Sequence, residues 1–137
     1  MQRETEPTAE DATAAVDPCA LVSVTDLSSI LATAVIKQAG PLEEFRGKSC
    51  KYTFSDGSAV GEGTMAITTW HGQSFFSPET LGIGEVKGIG DEAASGNGVT
   101  MVRKGETVLQ VQILSPTKKQ DSLKVGRAAT SALPKDP

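Results

Sequence analysis

Between Cys50 and Leu114 the apolar residues stop recurring at helical spacing and begin to alternate, and that change of period decides what this chain can fold into. The clearest stretch is Val99 to Leu114. Val99-Thr100-Met101-Val102-Arg103 and Thr107-Val108-Leu109-Gln110-Val111-Gln112-Ile113-Leu114 flank Lys104-Gly105-Glu106, which reads as a β-hairpin. Leu109, Val111 and Ile113 then share the core face, and Gln110 and Gln112 face water. Earlier, Cys50, Tyr52 and Phe54 alternate with Lys51 and Thr53, and Met65, Ile67 and Thr69 alternate with Ala66, Thr68 and Trp70. Ser55-Asp56-Gly57-Ser58 between these runs is turn chemistry.

Helical signals lie on either side of the alternating region. Ser23-Val24-Thr25-Asp26 resembles a capping box, with Asp in place of the usual Glu, and Val24, Leu27, Leu31 and Ala34 follow at helical spacing. This predicts a helix of about three turns from Val24, with Val35-Ile36-Lys37 as helix end or short strand, a stop at Gly40-Pro41, and a charged connector from Leu42 to Lys48. At the other end Thr117 is placed to cap a helix with Leu123, Ala128, Ala129, Ala132 and Leu133 towards the sheet, weakened by Gly126. Strands in a run with helices at the ends indicate an α+β fold, an antiparallel sheet of four or more strands with an N-terminal and a C-terminal helix packed on one face.

The 137 residues suit one domain. Residues 1–16, rich in Thr, Ala, Glu and Pro, bury too little apolar surface to offset their ordering entropy and read as a disordered tether. Residues 17–133 form the expected folding unit, and 134–137 a flexible end. A net charge of −4 and scattered basic residues argue against nucleic acid as a partner, and aromatic content of 4% leaves no stacking stripe for single strands. No run of 18 apolar residues is present, so membrane association is expected only through a lipid anchor outside this sequence. A monomer is expected.

Cys19 and Cys50 stand 31 positions apart, a spacing that fits neither a zinc site nor a CxxC redox motif, and His71 is the single histidine. Two readings remain: two buried thiols in a cytosolic protein, or one structural disulfide in an exported one. Cys19 opens the folding unit and Cys50 opens a strand, so a bridge would pin the start of the fold onto its sheet. The disulfide is the favoured reading.

Several residues are candidates for a site. The segment Gly82-Ile83-Gly84-Glu85-Val86-Lys87-Gly88-Ile89-Gly90-Asp91 contains neither GxGxxG nor a P-loop, so phosphate binding is disfavoured; its glycines permit a flexible loop that suits a ligand or partner surface. Glu85, Asp91 and Glu92 lack EF-hand spacing, and Asp91 reads as a cap for the turn before Glu92. His71 could serve as a general base, but no G-x-S-x-G elbow or orienting acid accompanies it. Phe75 and Phe76 cannot both face a core if extended, so with Trp70 they are candidates for an apolar pocket or partner contact. The candidate surface is therefore Trp70, His71, Phe75, Phe76, Glu85 and Asp91, with no metal, cofactor or catalytic residue expected.

Asp17-Pro18-Cys19-Ala20-Leu21-Val22, the capped helix, Ser49-Cys50-Lys51-Tyr52 and Gly88-Ile89-Gly90-Asp91-Glu92-Ala93, in that order, resemble the small secreted lipoproteins of actinobacteria, and in outline the LpqN-type mycobacterial lipoproteins. The resemblance spans about residues 17–133. It implies a secreted or lipid-anchored protein at the outer face of the cytoplasmic membrane, a disulfide between the two matched cysteines, and a Mog1/PsbP-like α+β fold. The lipid-bearing cysteine of that family has no counterpart here. The function expected is a non-catalytic cell-envelope domain that binds an envelope protein or a small apolar ligand. The alternatives are a hydrolase using His71 and a cytosolic Mog1-like adaptor with free cysteines.

Overall fold

A computed structural model describes residues 15–32, 34–44, 46–55, 62–115 and 119–133. The fold is α+β: one seven-stranded antiparallel sheet with two α-helices. In chain order these are α1 (Val24–Leu31), β1 (Ala34–Glu44), β2 (Gly47–Ser55), β3 (Gly63–His71), β4 (Gly84–Val86), β5 (Glu92–Gly96), β6 (Val99–Lys104), β7 (Thr107–Leu114) and α2 (Asp121–Ser131). The strands lie in the order β1-β2-β3-β7-β6-β5-β4, so β3 and β7 occupy the middle.

The capping box forms: Ser23 Oγ accepts from the Asp26 N–H at 3.0 Å. The helix is shorter than its periodicity predicts. It ends at Ala32, a non-glycine residue in the left-handed region at φ 56°, and β1 begins at Ala34. The Val35 N–H then donates to Ser28 Oγ at 3.2 Å, tying the strand to the helix it leaves.

The predicted stop at Gly40-Pro41 and the connector from Leu42 to Lys48 are both replaced by strand. β1 continues to Glu44 and pairs with β2 from Ala34↔Ser55 to Glu44↔Gly47. Proline is tolerated because β1 is an edge strand and its register shifts between Ala39 and Leu42. Gly40 makes the irregularity fit, with φ 131° and a position at which a Cβ would stand 2.7 Å from the Ser49 carbonyl. The glycine-rich segment also contains more strand than expected, since β4 and β5 extend the sheet beyond β6. Two expected features, the turn at Asp56-Gly57-Ser58 and the Thr117 cap, lie outside the described residues.

The core follows the alternation. Cys50, Tyr52, Phe54, Met65, Ile67, Val102, Leu109, Val111 and Ile113 pack in one cluster with Leu27 and Leu31 of α1 and Val125 and Ala129 of α2. Burial pushes the Tyr52 phenol above its ordinary value; a hydrogen bond with Gln38 acts the other way, and the Asp17 carboxylate adds to the rise. The described fold starts slightly before Asp17, because Ala15 is buried and the Val16 carbonyl accepts from Thr69 Oγ1 at 2.6 Å.

Cys19 and Cys50 form a disulfide with their Cα atoms 5.2 Å apart. It joins the 3₁₀ turn Pro18–Ala20 to β2, and Cys50 is fully buried. In the chain-entropy model, closing a loop of 31 residues stabilises the fold by about 3–4 kcal/mol.

Gly126 has a different role from the helix-weakening one its propensity suggests. It is buried against the sheet, and a Cβ there would lie 2.9 Å from Thr100 Cγ2. Thr100 is itself held by hydroxyl contacts to Ser95 at 2.7 Å and Ser122 at 2.9 Å, so its methyl has little freedom to move. The roughly 1 kcal/mol of helix propensity that Ala would add is outweighed by an overpacking cost of about 1–3 kcal/mol. Gly126→Ala should therefore lower the unfolding free energy in urea titration by about 1 kcal/mol; a gain in stability would show that α2 can lift without cost.

Candidate binding site

The alternation that builds the core also defines a second, opposite set of side chains. Strand pairing sets them in rows across β1, β2, β3 and β7. One row is Lys37, Thr53, Thr64 and Leu114; the next is Ala39, Lys51, Ala66 and Gln112; a third places Ser49 and Thr68 beside Gln110. Successive rows on one face are about 6.7 Å apart. They floor an open groove of about 820 Å³ with Trp70 at one end. Ser49 and Thr68 are buried in it with their hydroxyls 2.9 Å apart, whereas Gln112 and Leu114 are exposed. Lys51 pairs with Glu44 at 3.1 Å on the β1 side.

Trp70, Phe75 and Phe76 come together, but as packing. Trp70, Met101 and Val108 form a small cluster of their own, against which Phe75, Phe76 and Ile83 pack. Trp70 and Phe75 stack with centroids 5.8 Å apart and planes inclined by 14°, and the Arg46 guanidinium lies 5.4 Å from the Phe75 centroid. Residues 72–83 are pinned over this cluster by three contacts: the Gly72 N–H to the Glu106 carbonyl at 2.6 Å, Gln73 Nε2 to Glu106 Oε2 at 3.0 Å, and the Ser77 N–H to Met101 Sδ at 3.4 Å. The loop thus covers one end of the sheet face and walls the groove.

The other expected site residues lie elsewhere. His71 is exposed at the end of β3, opposite Thr107. Glu85 is exposed on β4 and faces Lys87 at 3.5 Å. Phe76, Glu85 and Asp91 border a smaller groove of about 410 Å³ beside the bend between β4 and β5. Among the described residues no group of three or more His, Cys, Asp or Glu side chains is arranged to hold a metal ion.

The Gly88–Ala93 motif has a mechanical explanation. Ile89 and Ala93 are buried in the main core. Gly90, at φ 57°, passes so close to β6 that a Cβ would stand 2.7 Å from the Arg103 carbonyl. The Asp91 N–H donates to that same carbonyl at 2.7 Å, while Asp91 Oδ2 accepts from the Gly105 N–H at 2.8 Å. Arg103 Nε donates to Glu92 Oε2 at 2.7 Å and its Nη1 lies 3.5 Å from Asp91 Oδ2. Asp91 therefore clamps the β6–β7 turn from the start of the neighbouring strand, a longer reach than the local turn cap expected of it.

The groove residues Lys37, Lys51, Thr53, Thr64, Thr68, Gln110 and Gln112 were not among the sequence candidates. For all but Lys37 the signal was present, since each occupies a position in its strand that alternates with a core residue; Lys37 stands two residues after Val35, which packs on the core, with a register shift between them. What hid them is that small and polar residues on an outward face look like ordinary solvated surface.

No family model matches this chain, and no curated protein and no solved structure matches it. The disulfide is consistent with an extracytoplasmic location. Among the described residues no helix is long and apolar enough to cross a membrane.

If the Gly88–Ala93 segment is a clasp, its loss is read in stability. Asp91→Ala should lower the unfolding free energy by about 1–2 kcal/mol, and Gly90→Ala by at least as much, because a left-handed backbone and a carbonyl contact are both violated. Unchanged denaturation midpoints for both variants would contradict this role.

Proposed function

We propose that this chain is a non-catalytic, extracytoplasmic binding domain, and that it binds through the sheet face opposite the helices. The groove is the observation that carries this reading. A face of three ordered rows, walled at one end by a stacked aromatic cluster and open elsewhere, is a preformed concave surface of ligand size. The aromatic loop contributes the wall, and the contact surface moves from its exposed tip onto the strands.

The motifs around Cys19, Cys50 and Gly88–Ala93 support a place among the small envelope lipoproteins of actinobacteria, with both helices on one face in a Mog1/PsbP-like arrangement. The disulfide supports an oxidising compartment. A partner in that setting is an envelope component, met by a monomer held at or near the membrane surface.

The test is backbone-amide mapping by NMR with the producing organism's solubilised cell-envelope extract. Shifts should concentrate at Ser49, Lys51, Ala66, Thr68 and Gln110. Shifts confined to the helix-covered side or to the exposed His71–Glu85 surface would contradict the reading, as would an unperturbed spectrum.

A further inference from the structure

The chemistry of the groove narrows what fits it, provided that the uncovered face is the binding surface. Its lining mixes polar, mostly uncharged side chains with the apolar Ala39, Met65, Ala66, Trp70 and Leu114. Thr53 and Thr64 present hydroxyls, and Gln110 and Gln112 present carboxamides, groups that each donate and accept hydrogen bonds. Among the described residues the two amides have no side-chain hydrogen-bond partner. An acyl chain laid over this floor would cover its apolar residues but strip water from those polar groups, at about 1–3 kcal/mol for each group left unsatisfied. A peptide strand would use the free backbone edge of β1 rather than the side-chain face. A polyhydroxylated ligand matches in kind, because its hydroxyls also donate and accept, and its C–H faces can lie against Trp70.

Charge adds a second selection. The groove lining holds Lys37 and Lys51 against Glu44, a net of +1 within a chain of net charge −4. Glu44 is already matched by Lys51 at 3.1 Å, which leaves the exposed Lys37 ammonium to compensate an incoming anion. Arg46, exposed on the β1–β2 turn over Phe75, places another cation at the Trp70 end. Cations near both ends of a hydrogen-bonding floor suit a chain ligand bearing more than one negative group.

We propose that the groove binds an acidic glycan, a chain of sugar units carrying carboxylate or phosphate groups. The full oxidised chain is titrated with oligogalacturonate and, separately, with a phosphomannan, which distinguish the two sources of charge. Fluorescence of Trp70, the single tryptophan, and calorimetry report binding. At least one of the two should bind saturably, and Lys37→Gln and Gln110→Ala should each weaken it by about threefold to tenfold with an unchanged melting temperature. Three controls carry the contrary outcomes. Equal affinity for poly-glutamate would mean that charge alone is read. Equal affinity for a neutral malto-oligosaccharide would mean that charge is not read. Lys37-dependent binding to phosphatidylglycerol vesicles in place of either glycan would assign the face to a lipid surface. Any of these, or no binding of either acidic glycan, overturns the proposal. If both acidic glycans fail while envelope extract still shifts the groove amides, the ligand class falls and the binding face stands; if both experiments are silent, both readings fall.

Discussion

Every part of this molecule depends on the one-sided burial of its two middle strands. Met65 and Ile67 in β3, and Leu109, Val111 and Ile113 in β7, are buried among Leu27, Leu31, Val125 and Ala129 of the helices. Each buried side chain of this size contributes roughly 1.5–3 kcal/mol, and with a side-chain period of two, a slip of one residue would turn the whole set to water. The register is therefore strongly specified, and it dictates the opposite face as firmly as the core. Thr64, Ala66, Thr68, Gln110 and Gln112 stand in rows because their neighbours are buried.

Separate devices hold the edges of this sheet to its centre. On the β2 side the disulfide ties the entry of the chain to a buried position in the strand. On the β4–β5 side Asp91 and Glu92 grip Arg103 and the Gly105 amide, so that the short outer strands are locked to the long hairpin. Over the second face, the Trp70–Phe75 stack and the Glu106 contacts seat residues 72–83. The groove lies between these fixtures, on the part of the sheet that none of them covers. Its shape thus follows from rigid elements.

Much of the fold was legible where local chemistry and tertiary context agree. The hairpin from Val99 to Leu114, the Ser23 cap and the antiparallel α+β class follow from period and capping alone, and the structure has them. Legibility ended where a local breaker is overruled. Gly40-Pro41 reads as a stop, yet an edge strand with a register shift absorbs it. Gly84 and Gly96 sit in strands that glycine disfavours, because pairing of β4 with β5 and of β5 with β6 supplies what intrinsic preference lacks. Gly126 reads as a weak point in a helix and is instead the place where the helix meets Thr100. In the candidate site, aromatic residues drew attention to Trp70, Phe75 and Phe76, and the structure uses them to pack one another. The groove is made of residues with no individual signature, distinguished only by sharing a face across four strands. That is a property of pairing, which a single strand's sequence does not display.

The central claim is that one face of the sheet is core and that the opposite face, outside the Trp70 cluster, is the uncovered surface for which binding is proposed. Adjacent residues of β7 test it within a single strand: Ile113, which is 1% exposed, and Gln112, which is exposed on the other face. Chemical denaturation of Ile113→Ala should show a loss of about 2–5 kcal/mol, and Gln112→Ala a change within about 0.5 kcal/mol. Comparable losses from the two substitutions would mean that both faces are buried, and would contradict the account.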